Sequence, residues 1–130
     1  MRRPASLTVV AAAVLVGAGC GGTKHYALDA SRDCLRKESG LRVRPAPASD
    51  FIASTAIGGA MNVRFDDNQV TLAFSQDSDQ ADNIAKAYRR FRGKDIGIES
   101  ALEEVANVVM VWAITPNPQQ KGLIHGCLKD

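Results

Sequence analysis

The chain is poor in the residue sets that carry recognisable chemistry. It has 2 histidines and 3 cysteines in 130 residues, and no Cys-x-x-Cys pair occurs, so a zinc site would lack its ligands. No Walker loop, Gly-x-Ser-x-Gly elbow or His-Glu-x-x-His segment is present. That removes the local signatures of nucleotide binding, serine hydrolysis and metalloproteolysis. The stretch Asp77-Ser78-Asp79-Gln80-Ala81-Asp82 invites a calcium reading. An EF-hand loop would need an oxygen ligand at 81, glycine at 82 and glutamate at 88, where the chain has Ala81, Asp82 and Tyr88. Gly17-Ala18-Gly19-Cys20-Gly21-Gly22 matches G-x-G-x-x-G in letters but follows no strand, so it carries no dinucleotide reading. No cofactor and no metal are expected.

Charge of one sign is also missing once the start of the chain is set aside. The sequence has 16 basic and 14 acidic residues. The charges before position 20 are Arg2 and Arg3, and without them the two counts are equal. A neutral domain gives no electrostatic basis for nucleic-acid binding, and no nucleic-acid partner is expected. The early apolar stretch, Leu7 to Gly19, falls short of the roughly 20 apolar residues that a membrane-spanning helix needs.

What the start does have is an ordered set of signals. Arg2 and Arg3 precede the apolar run, no acidic residue appears before Asp29, and the run ends in Gly17-Ala18-Gly19-Cys20. This is a basic segment, a short hydrophobic segment and a small-residue cleavage site ending on a cysteine. Residues 1–22 resemble a bacterial lipoprotein signal, with Gly17 standing where Leu, Val or Ile is usual. The resemblance implies cleavage after residue 19 and acylation of Cys20. It also implies a lipid-anchored location on the extracytoplasmic face of the cell membrane, with membrane lipid as a partner. Residues 20–27 would form the lipidated tether, and Gly21 to Lys24 span at most about 15 Å. The remaining part, 28–130, resembles small uncharacterised bacterial lipoproteins, a likeness that supplies no activity.

With Cys20 acylated, Cys34 and Cys127 remain as one pair, and outside the cytoplasm they are expected to be oxidised. Such a bridge would join the two ends of the domain.

About 110 residues make one domain with a modest core. Helical spacing runs from Leu28 to about Ser39, with Cys34 inward and Gly40 as a stop. Residues 42–58, with Pro45 and Pro47, read as a long loop in which Phe51 and Ile52 tuck inward. Met61, Val63 and Phe65, then Val70, Leu72 and Phe74, alternate about an Asp66-Asp67-Asn68 turn, which predicts a hairpin. Asp77 or Ser78 caps a helix whose apolar stripe is Ala81, Ile84, Ala85, Tyr88 and Phe91. Ile98, Ala101, Leu102 and Val105 suggest a further short helix. The run Val108 to Ile114 reads as a central strand, and Pro118 starts a last helix carrying Cys127 near its end.

The expected fold is α+β. It has a three-stranded antiparallel sheet of order 2-1-3, helices mainly on one face, and the N- and C-terminal helices joined by the disulfide.

Two functional classes follow. The leading expectation is a membrane-anchored, non-enzymatic binding or envelope-associated module with an unidentified protein partner. Its contact surface would be the Pro45–Gly59 loop. Arg89, Arg90, Arg92 and Lys94 form a candidate lipid-surface patch, although the negative end of a helix accounts for cations there as well. The alternative is an extracytoplasmic enzyme or small-ligand binder whose site gathers scattered residues such as His125, Asp66 and Asp67. No catalytic residue is assigned.

Overall fold

The computed structural model describes residues 24–92 and 97–130. The leader, Cys20 and Lys94 lie outside the described residues. The elements run α1 (Leu28–Arg36), β1 (Arg42–Pro45), a single 3-10 turn (Ala53–Thr55), β2 (Ala60–Arg64), β3 (Gln69–Phe74) and α2 (Ser78–Arg92). They continue with α3 (Ile98–Ala101), β4 (Leu102–Val105), β5 (Val108–Trp112) and α4 (Pro118–Gly126).

The class is α+β, and the sheet is antiparallel throughout, but it has five strands in the order β1-β2-β3-β5-β4. The expected hairpin is β2–β3, closed by Phe65 N donating to Asn68 O at 2.8 Å. The expected third strand, β5, lies beside β3 rather than beside β2, so the order 2-1-3 is corrected. It stays antiparallel to β3 because the chain reverses once more before reaching it. That reversal is the β4–β5 hairpin, whose first strand replaces half of the helix expected over Ile98 to Val105. Its two-residue turn, Ala106-Asn107, contains no glycine, and Ala106 holds φ at +53°. Hairpin turns of this length need positive φ, which usually announces itself as Gly or Asn-Gly. Here the signal is absent, and the strand reads as helix.

The second missed strand is β1. Arg42-Val43-Arg44 alternates, with Val43 paired to Val63, but the neighbouring prolines disguise it. As an edge strand it tolerates Pro45 at its end.

Helices cover both faces of the sheet, not mainly one. Val108, Met110 and Trp112 of β5 face Leu35 of α1, Ile124 of α4 and Cys127 just after it. Val109 and Val111 point the other way, onto Ile84, Ala85 and Tyr88 of α2, with Ile52 and Ala56 alongside. The first layer is tied by the Cys34–Cys127 disulfide, with Cα atoms 5.3 Å apart across a sequence separation of 93. Closing a loop of that length contributes about 4–5 kcal/mol in the chain-entropy model.

The start of α1 and the segment after α4 are also stitched together by hydrogen bonds. Ala27 N donates to Lys129 O at 2.7 Å, and Lys129 N donates to Ser31 Oγ at 3.0 Å. α4 begins in a reciprocal cap between Asn117 and Gln120.

An alanine held at positive φ carries about 1–2 kcal/mol of strain that glycine does not. Ala106→Gly is therefore expected to stabilise the protein by about 1 kcal/mol, read as a higher urea midpoint with an unchanged slope.

Candidate functional site

The segment 49–57 is fastened to α2 at two points. Asp50 Oδ1 accepts from Ala53 N at 3.0 Å and caps the 3-10 turn, while Asp50 Oδ2 accepts the Tyr88 hydroxyl at 2.8 Å. Near the start of α2, Gln80 Nε2 donates to Thr55 O at 3.3 Å, and Gln80 Oε1 accepts from Gln76 N and Ile57 N. Gln80 is itself placed by the helix cap, since Gln80 N donates to Asp77 Oδ1 at 2.8 Å.

The segment then rejoins the sheet through Gly58, whose N–H donates to Phe74 O at 2.7 Å. A Cβ at Gly58 would lie 2.6 Å from that same carbonyl oxygen, so glycine is required for the approach. Ile52, Ala53 and Ala56 are buried by this docking.

Fixed in this way, the segment turns two large apolar side chains outward, Phe51 and Ile57. Phe51 is 58% exposed and Phe91 is 65% exposed, and their rings meet edge to face with centroids 5.5 Å apart. Phe51 was expected to tuck inward and Phe91 to join the core stripe of α2. Neither does, because Ile52 already fills the inward position and α2 buries Ala81, Ile84, Ala85 and Tyr88. The two rings, with Ser49, Asp50, Ile52, Tyr88 and Arg92, line a cleft of about 430 Å³. A cleft of that size, largely apolar with a few polar groups at one side, has the build of a recognition site.

Its titratable members are committed to structure. Burial, and then the hydrogen bond to Asp50, push the Tyr88 phenol well above the ordinary tyrosine range. The hydroxyl donates to Asp50, so it is not poised to accept a proton near neutral pH.

The residues singled out by sequence are distributed as follows. Arg89 pairs with Glu99 at 3.1 Å and approaches Glu104 at 3.8 Å. Arg90 is exposed, and Arg92 lines the aromatic cleft. His125 and the Asp66-Asp67 turn do not form one group. His125 Nε2 meets Glu103 Oε1 at 3.0 Å, whereas Asp67 Oδ1 accepts from Gln120 Nε2 at 2.9 Å. His25 reaches Gln76 O at 3.0 Å. Among the described residues, no group of three or more His, Cys, Asp or Glu is placed to hold a metal ion, and no helix is long and apolar enough to cross a membrane.

Sequence reasoning missed the Phe51–Phe91 contact, for which the chain offers no local signal. It also missed the exposed face of β1. The Arg42-Val43-Arg44 alternation was available there but was read as loop.

No protein-family model, curated protein or solved structure matches this chain.

The Tyr88–Asp50 bond gives a pH-dependent expectation. An unfolded chain releases a phenol proton near pH 10, whereas the folded protein keeps the Tyr88 proton beyond it. The stability held by this group is therefore intact below about pH 10 and declines as pH rises past it. Tyr88→Phe should cost about 1 kcal/mol at neutral pH, and its deficit should shrink in urea melts taken above about pH 10.

Proposed function

We propose that this protein is an exported domain held at the extracytoplasmic face of a membrane by an acylated Cys20, acting by binding rather than by chemistry. The observation that carries the reading is the Cys34–Cys127 bond. It consumes two of the three cysteines, suits an oxidising compartment, and leaves for Cys20 the role that its leader-like surroundings imply.

The position of the tether fits this reading. Lys24 is the first described residue, and the chain enters the fold beside Gln76 and Asn107, where β3 ends and α2 is about to begin. α2 has 15 residues and therefore runs about 22 Å. Phe91 and Arg92 stand at its far end, about that distance from where the tether leaves the domain. An anchored domain would thus hold the aromatic cleft away from its attachment point, open to a partner. The cleft takes an apolar side chain from a protein partner, since the exposed rings of Phe51 and Phe91 line it.

Cys20→Ala is expected to move the protein from the membrane pellet to the soluble or secreted fraction, while Phe51→Ser leaves it membrane-bound. Unchanged detergent partitioning of the cysteine variant would overturn the anchor. For the cleft, a photo-crosslinker placed at Ser49 in cells should give a partner adduct that Phe51→Ser removes. Adducts that survive the substitution would overturn the contact surface.

A further inference from the structure

α2 and the 51–57 segment cover only part of their side of the sheet, the part built from β3, β5 and β4. Among the described residues no helix lies over the same side of β1 and β2, and the register places unusual residues there. Arg42 pairs directly with Arg64, and Arg44 pairs with Asn62, so three guanidinium groups and an amide share one face. They line a cavity of about 110 Å³ to which no other described residue contributes.

Like charges directly opposite each other across a strand pair are unfavourable. Here nothing within the described fold offsets them. None of the three arginines forms an ion pair with a described side chain. Arg64 Nη2 has a contact of 3.5 Å with Gln69 Oε1, too long to count as strong. Asp67, in the adjoining turn, is turned to Gln120.

One ordinary explanation is that edge strands carry cations to discourage pairing with a second sheet. It accounts for Arg42 and Arg44 on β1, which is an edge. It does not account for Arg64, because β2 is paired on both sides and has no edge to protect. A ligand with more than one negative charge accounts for all three.

We infer that this face is an oxyanion site taking a phosphomonoester group, with Arg42, Arg44 and Arg64 as the charge partners and Asn62 as a neutral donor. Guanidinium groups present planar paired donors that match phosphate oxygens. Three of them suit a dianion better than a single carboxylate. The volume is well below the roughly 300 Å³ at which sites for whole drug-sized molecules begin, so the site grips a head group and leaves the remainder of the ligand outside. The phosphate could belong to a lipid or to a soluble molecule, and the chemistry recognised is the same. The inference does not depend on acylation of Cys20 or on the aromatic cleft.

The test is calorimetric titration of the full chain, held in micelles of an uncharged detergent at low ionic strength. The two probes are inorganic phosphate and dihexanoyl phosphatidic acid below its micelle-forming concentration. Saturable binding with Kd of about 1 mM or tighter is expected. Arg64→Gln and Arg42→Gln should each weaken it about tenfold or more, and Arg36→Gln, on α1 over the opposite face of the sheet, should not. Tighter binding of the short-chain lipid would assign the site to a head group, and equal affinity to soluble phosphate, each in support. If neither probe gives saturable binding, or if Arg36→Gln weakens it as much as Arg64→Gln, the site is overturned. Should Arg64→Gln fail to fold, Arg44→Gln on the edge strand carries the same test.

Discussion

Everything in this fold answers to β5. Its five residues, Val108 to Trp112, are all buried, so the strand must be covered on both faces and flanked on both edges. Burying such side chains contributes about 1.5–3 kcal/mol each, and among the described strands β5 is the one buried along its whole length. The flanks are β3 and β4, and the covers are the α1–α4 layer on one side and α2 on the other. Two buried asparagines finish its ends. Asn107 accepts from Tyr26 N at 2.7 Å and donates to Tyr26 O and Ser75 O, while Asn68 accepts from Ile114 N and donates to Ile114 O. Each satisfies backbone groups that would otherwise be left bare where the ladder stops.

The covering layers differ in how they are held. α4 contains Gly122 and Gly126 and is only nine residues long, so it has little intrinsic tendency to stay helical. It is kept in place by the Asn117–Gln120 cap at one end and the disulfide to α1 at the other. α2 needs no such brace, being longer, capped by Asp77 and amphipathic. Because α2 runs along the β3–β5–β4 half, the remaining half of that face stays open. The exposed aromatic pair lies by the far end of this helix, and the arginine cavity on strands it leaves uncovered. Both features owe their existence to the limited width of one helix on a five-stranded sheet.

Legibility followed periodicity. The β2–β3 hairpin, α2 and the Pro118 helix are written in alternation, caps and helical spacing, and each appears close to where those patterns put it. The same patterns failed where a special backbone conformation or an edge position carried the information. Ala106 adopts positive φ with no glycine to mark it, so the β4–β5 hairpin was hidden and Leu102 to Val105 read as helix. Pro45 and Pro47 suggested a loop over β1, although an edge strand can end in proline. Of the site residues, Arg42, Arg44 and Arg64 are separated in sequence and united only by strand register. Phe51 and Phe91 are joined by a segment docking across a helix.

By itself the amino-acid order determined the class of the fold, the strand-turn-strand at its centre, the cap of its longest helix and, through cysteine count and setting, the Cys34–Cys127 pair. These are local or arithmetical properties, fixed by side-chain period and by the partners left available. Tertiary structure decided the number and order of strands, the double coverage of the sheet and which apolar and charged groups remain on the surface. Those depend on how wide each layer is and where it stops, and no short stretch of sequence encodes that.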